Sequence, residues 1–581
     1  MSTLGLTILL AASAPAAPER AAALHALFDE AWEFRLREDP LFATQTGDHR
    51  YDALLPSARP EDIARRAAFH RDALTRARAI GSEGLGDADR VSLAMFERQL
   101  SDWIADDHFG QSRIPLNADS GFHTDFADLP SSMRFESAKD YESYVARLAA
   151  FPRWVSEQIA RMREGLRAGF TVPRAALQGV DDGMRALVVS EPEKSPFYAP
   201  FRRFPPSIPD AERARLDALG RRAILDGAVR GYAELAAFVR DEYLPGARET
   251  VGASALPRGR EYYEHLVRAF TTLDVTPEQV HETGLREVAR IRAEMDAAMR
   301  RSGFTGDFAA FLQFLRTDPR FYAKTPEELL ERASRIAKRM DGKLPSLFGR
   351  LPRQPYGVEP VPAHLAPKYT GGRYVEAPIG GGRAGTYWVN TYALPMRPFY
   401  TLEALTLHEA VPGHHLQISL QQELTGLPAF RRYASIGAFV EGWALYAERL
   451  GLEAGFYEDP YSDFGRLTYE MWRACRLVVD TGLHAKGWTR QQAIDYLAAN
   501  TALSLHEVTT ETDRYISWPG QALCYKMGEL RIRELRRHAE EALGDRFDRR
   551  EFHDAVLAQG AVPLSVLEEQ VNAWIESRRV R

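Results

Sequence analysis

The chain has 581 residues, 45% hydrophobic and 27% charged, and 74 basic against 80 acidic side chains give a net charge of −6. This balance excludes a disordered chain, a collagen and a polytopic membrane protein, and it offers no basic excess for a nucleic-acid footprint. Two cysteines, Cys475 and Cys524, exclude a disulfide scaffold and an all-cysteine metal site. At roughly 100–200 residues per domain the length allows three to five domains or one large helical body.

An apolar run at 4–12 precedes Ala14-Pro15-Ala16, which fits the small-x-small cleavage rule, although no Lys or Arg comes before the run. The run is shorter than the ~20 residues that span a bilayer. Residues 1–17 therefore read as a signal peptide, and the mature protein as periplasmic or secreted, without stable membrane insertion. Without that leader it would be cytoplasmic. An oxidising address would allow Cys475 and Cys524 to pair, and the sequence leaves this open. The rest reads as an N-terminal helical region, 18–270, and a helical catalytic region, 271–581, forming one continuous body.

Helical periodicity predicts helices at 20–37, 60–80, 138–168 and 210–242. The Pro-rich stretch 195–209 reads as a surface connector. Thr276-Pro277-Glu278-Gln279 is a capping box with Pro at the first helical position. It opens a face of Val280, Gly284, Val288, Ile291 and Met295. Capping logic recurs at 325–328 and 489–492. One zone breaks the pattern. Residues 356–394 are rich in Pro, Gly, Tyr and Val, and predict strands at 356–361, 368–376 and 386–392 in a small antiparallel sheet. Further helices are expected at 429–452, 465–486 and 522–543, so the fold class is mainly α.

The chemistry concentrates in Leu407-His408-Glu409-Ala410-Val411-Pro412-Gly413-His414-His415. Two His on one helix face with an adjacent Glu form the zinc-hydrolase arrangement, the Glu acting as general base. The usual second His stands at i+4, where this chain has Pro412. In a regular helix i+6 faces away from i, and i+7 lies ~10 Å along the axis, too far to share one ion with bonds near ~2 Å. Pro412 cannot donate to the His408 carbonyl and Gly413 permits unusual dihedrals, so the helix must kink or bulge there. Omitting Pro-Gly restores an i+4 spacing, which favours His414 as second ligand over His415. A third ligand is expected on a later helix. Glu441, flanked by Phe439, Val440 and Trp443, fits, with Glu448 on the same face as its support or as a plain ion-pair partner.

Arg476, Asp480 and His484 recur every fourth residue after Trp472 and Arg473. They read as support or substrate contacts for the site, or as a surface ion-pair ladder. A Pro519-Gly520 turn then opens a helix bearing Tyr525, the candidate oxyanion donor, with Tyr515 and Lys526 behind it as substrate contacts.

The block 408–417 resembles the H-E-x-x-P-G-H-H-L-Q signature of the bacterial domain-of-unknown-function 885 family, as do 386–391, 441–448, 476–484 and 518–523. The motif is similar to that of helical zinc peptidases of the thimet oligopeptidase and carboxypeptidase Taq type. That resemblance implies a deep channel, and a sheet edge beside the zinc helix that pairs with a peptide substrate. Asn390 and Thr391 would then touch substrate, as would His415. The expected activity is zinc-dependent hydrolysis of a peptide bond. His408, His414 and Glu441 would hold Zn²⁺, Glu409 would act as base and Tyr525 as oxyanion donor. Two alternatives remain open at this level: a zinc amidase acting on cell-wall peptides or a non-peptide amide, and a non-catalytic helical binding protein with a structural metal or none.

Overall fold

The computed structural model describes residues 17–579, apart from 119, 364 and 378–382. The expected leader lies outside this range save Ala17, which opens the first helix. The major helices used below are α1 (Ala17–Glu38), α2 (Pro60–Ile80), α3 (Asp87–Phe109), α4 (Ala138–Ala168), α5 (Pro277–Arg301), α6 (Leu402–Glu409), α7 (His414–Gln422), α8 (Gly437–Glu453), α9 (Pro460–His484), α10 (Leu505–Ser517) and α11 (Cys524–Leu543). Among the described residues no helix is long and apolar enough to cross a membrane.

The capping boxes at Thr276 and Thr489 form with both reciprocal bonds, and the Thr325 side chain caps Glu328 N–H. One apolar core runs through both halves of the chain, from Leu24 to Ile575. The Pro-rich stretch departs from expectation. It is no surface connector: Pro196–Arg202 winds into a 3₁₀ segment that buries Phe197, Tyr198 and Phe201. Its aromatic residues outweigh the turn signal of its prolines, packing on Tyr141, Tyr144 and Tyr232.

Two close helix crossings place the site. On α5, the periodic face meets α9 at Gly284, where a Cβ would stand 2.8 Å from Leu477 Cβ. On α8 and α11, Gly442 and Gly528 meet directly, and a Cβ on Gly528 would fall 1.8 Å from the Ala438 carbonyl oxygen. Glu441 precedes the first of these glycines and Tyr525 lies one turn before the second, so the backbone contact fixes the two side chains relative to each other.

The small sheet comprises β1 (Tyr356–Pro360), β2 (Gly372–Val375) and β3 (Gly385–Val389) in the order β1-β3-β2. It is mixed, not antiparallel as expected: β1 pairs parallel with β3, and β2 pairs antiparallel. The burial of Gly385, Tyr387 and Val389 explains why β3, last in sequence, takes the centre, while the more open β1 takes an edge. β2 is left on the other edge, beside α6. The segment after β3 is tied down by Asn390, whose Nδ2 donates to the carbonyls of Ala366, Tyr369 and Thr370 and whose Oδ1 accepts from Tyr392 N–H.

Gly528→Ala should force α8 and α11 apart and cost about 1–3 kcal/mol, the usual range for overpacking. Denaturant unfolding of the variant against the parent chain measures this, and unchanged stability would mean that the crossing is not tight.

Candidate metal centre

The geometry begins with how α6 ends. Pro412 has no N–H to give to the His408 carbonyl, and the chain leaves the helix at Ala410 (φ −91°, ψ −110°) to re-enter it after Gly413 (φ −77°, ψ −127°). The Val411–Pro412 peptide is cis. Gly413 N–H donates to Leu407 O at 3.0 Å, His415 N–H donates to Ala410 O at 3.1 Å, and the Trp443 indole N–H donates to Pro412 O at 2.8 Å. A Cβ at position 413 would lie 1.9 Å from the His408 carbonyl oxygen, so only glycine fits this fold-back.

The fold-back sets the His408 and His414 rings perpendicular, 4.7 Å apart between centroids. Glu441 arrives from α8. Its Oε2 lies 3.5 Å from His408 Nε2 and 3.5 Å from His414 Nε2, and it is buried without a hydrogen-bond partner. One ligand atom from each of these three residues falls within 4.8 Å of the others. Ligands ~2 Å from a shared tetrahedral ion stand about 3.3 Å apart, so the donor set fits a zinc-type centre.

The supporting atoms fit as well. His408 Nδ1–H donates to Glu448 Oε1 at 2.8 Å, which leaves Nε2 to face the centre. Glu448 also pairs with Arg473 at 3.4 Å, so it both backs His408 and forms an ion pair, with Arg473 in place of Arg449. Burial opposes charge on His408, yet Glu441 and Glu448 lift its pKa to about 10. Burial likewise opposes charge on Glu441, but His408 and His414 hold it well below the usual carboxylate range. Carboxylates packed around two imidazoles favour positive charge between them, which a metal or a proton on His408 would supply.

Two further residues stand ready at the centre. Glu409 Oε2 accepts the Tyr374 N–H at 2.7 Å, so the outer edge of β2 positions the expected base. Sequence reasoning missed Tyr374, because a backbone donor leaves no side-chain signature. Tyr525 lies with its ring nearly parallel to His408, 17° and 6.5 Å apart. The Arg476 guanidinium sits 4.2 Å over the same ring. Among the described residues the Tyr525 hydroxyl has no hydrogen-bond partner.

Other expected contacts are consumed by the fold. His415 turns away from the centre: Tyr374 OH and Ser419 Oγ approach its Nδ1, its Nε2 faces Gln354 O, and burial lowers it to about 4. His484 accepts Ala253 N–H on Nδ1, reaches Tyr515 O through Nε2, and is lowered to about 3 by burial. Lys526 is fully buried and binds Glu470, Glu529 and Glu287. The Tyr515 hydroxyl accepts from Trp472 Nε1 and Arg476 Nε. Asn390 is spent on its own loop, and Thr391 follows it half-buried. These five side chains, His415, His484, Lys526, Tyr515 and Asn390, therefore offer no free group to a ligand. Arg476 is the exception: Glu511 and Tyr515 take two of its nitrogens, and Nη1 is buried without a partner. The stripe at 476, 480 and 484 is buried throughout, so it is not a surface ladder. Both thiols are free, Cys475 on α9 and Cys524 at the start of α11.

The family described as "Bacterial protein of unknown function (DUF885)" matches residues 40–571. The chain belongs to this family. A "putative lipoprotein" from Colwellia psychrerythraea shares the fold at TM-score 0.90 and 29% identity, over 96% of this chain and all of that one. A "putative lipoprotein of unknown function" from Shewanella oneidensis aligns at TM-score 0.66 and 19% identity, over 95% of this chain and 99% of that one, a likeness of fold alone. No curated protein matches this DUF885 chain.

The raised pKa of His408 has a definite sign. Its stabilising contribution is complete below the ordinary histidine value of about 6.5 and is lost as pH climbs toward about 10. In chelator-treated protein, the stability difference between the parent chain and His408→Asn should shrink from pH 6.5 to 10. Chemical unfolding across that range measures it, and a constant difference would contradict the ion-pair geometry.

Proposed function

We propose that this DUF885 protein is a zinc-dependent hydrolase, specifically a metallopeptidase that cleaves peptide bonds. The carrying observation is the convergence of His408 Nε2, His414 Nε2 and Glu441 Oε2 beside a carboxylate and an unbonded phenol. The two imidazoles and the carboxylate would hold Zn²⁺ and leave one position open, as catalytic zinc requires. When bound, the ion supplies Lewis-acid polarisation of a carbonyl and makes water acidic enough to ionise near neutral pH.

The chain's own groups do the proton work. Glu409, held by Tyr374 N–H, accepts a proton from the attacking water and returns it to the leaving amine. Tyr525 donates its free hydroxyl to the oxyanion that develops on the scissile carbonyl. Its ring is fixed by His408 and by the Arg476 cation. The Glu448–Arg473 pair keeps His408 in the tautomer that presents Nε2. A helical channel around the centre belongs to the same reading.

The solved relative from Colwellia psychrerythraea, 29% identical, is described as a "putative lipoprotein". That supports a periplasmic or secreted address behind the expected leader, and with it a second substrate class, the amide bonds of cell-wall peptides.

Glu409→Gln should retain stoichiometric zinc and lose about 10²–10⁴ in kcat, and Tyr525→Phe about 10²–10³. Zinc analysis together with turnover of linear peptides and of peptidoglycan fragments measures both effects and separates the substrate classes. Full activity of Glu409→Gln on either class would contradict the mechanism.

A further inference from the structure

Asp480 is a buried carboxylate that the proposed chemistry does not use. It lies on α9, is fully buried, and has no ion pair among the described residues. Burial raises its pKa to about 7, against the pull of two donors, the Tyr263 hydroxyl and the Gly520 N–H. A carboxylate held away from water without a cation is costly, and a neutral side chain at this position would avoid that cost.

Its hydrogen bonds join three parts of the chain. Tyr263 OH donates to Oδ1 at 2.5 Å, and Gly520 N–H lies 3.1 Å from both Oδ1 and Oδ2. Tyr263 belongs to the helix Gly259–Thr271, and Gly520 stands between α10 and α11. Gly520 takes the left-handed conformation, φ +84°, which glycine adopts without strain. It packs on the same helix as Tyr263: a Cβ there would stand 3.0 Å from Phe270 and 3.2 Å from Leu266. Gly520 is itself buried, so without Asp480 its N–H would be a backbone donor left unpaired.

From Gly520 the chain runs through one 3₁₀ turn, Gln521–Leu523, into α11, whose second residue is Tyr525. The first residue, Cys524, ties back through its thiol to Phe270 O at 3.3 Å, a weak donor's bond. Four positions before Asp480 on α9, Arg476 lies over the Tyr525 ring. The same helix therefore meets the Tyr525 ring with a cation and the start of the Tyr525 helix with a carboxylate.

We propose that Asp480 is a positioning residue, which fixes the Gly520 turn and through it the Tyr525 hydroxyl relative to the metal centre. This rests on the hydrolase reading, in which that hydroxyl serves the oxyanion. Asparagine cannot do the same. An amide at 480 keeps one acceptor oxygen and turns a donor toward a position where Gly520 N–H needs an acceptor.

Two readouts on the full chain, supplied with zinc, test this. Backbone hydrogen exchange across 518–526, which needs no substrate, should quicken about tenfold or more in Asp480→Asn, while α2 exchanges as in the parent and zinc content is unchanged. On linear peptides the same variant should lose about 10–100-fold in kcat, the scale of a small misplacement, with KM held. Placed in a Tyr525→Phe background, Asp480→Asn should cost less than about twofold, because the hydroxyl that it displaces is already absent. If Asp480→Asn does not fold, Tyr263→Phe, which removes the other donor to the carboxylate, takes its place with the same readouts. Exchange that stays at the parent rate, or a kcat loss equally large with and without the Tyr525 hydroxyl, would overturn the proposal alone. A parent chain that turns over no peptide would overturn the hydrolase reading and this role with it, whatever the exchange shows.

Discussion

The backbone of Gly413 lies against the carbonyl of His408, and this one contact governs what the rest of the structure can do. Pro412 stops the helix from continuing, and the absence of a side chain at 413 lets it restart within one turn of where it stopped. An uninterrupted helix would carry His408 and His414 to different sides. The fold-back returns them to one point, and Trp443 holds it by donating to the Pro412 carbonyl. Trp443 and Glu441 both come from α8, so the helix that clamps the fold-back also supplies the carboxylate of the cluster.

The surroundings extend this constraint outward. α8 is held by its glycine contact with α11, and α11 carries Tyr525. α9 runs behind both and brings Arg473 to Glu448 and Arg476 to the Tyr525 ring. The small sheet contributes one decisive group, the Tyr374 N–H on Glu409. Each element therefore reaches the centre through a few specific side-chain contacts, and buried residues of these helices join the same apolar core.

Much of this was legible where the cause is local. Helices with a clear apolar period and Thr caps form near the expected residues, because caps and periodicity act within a few positions. The choice of His414 over His415 followed from the chemistry of Pro and Gly alone, and the structure sets His415 among Tyr374, Ser419 and Gln354. What escaped the sequence depends on distant partners. Lys526 looked available until Glu470 and Glu287 were brought to it, and His484 until Ala253, 231 positions away, donated to its ring. The parallel pairing of β1 with β3 is equally non-local, since strand propensity says which residues extend and not which neighbour they choose. The burial of Phe197, Tyr198 and Phe201 shows aromatic area overriding turn composition.

The account stands on the claim that the fold-back recruits His414, not His415, to a metal centre with His408 and Glu441. Zinc stoichiometry of the purified chain and of His414→Ala and His415→Ala tests it most directly. The account predicts one tightly held zinc per chain in the parent and in His415→Ala, and its loss in His414→Ala. A parent chain that binds no zinc, or a His414→Ala chain that holds zinc as tightly as the parent, would contradict it.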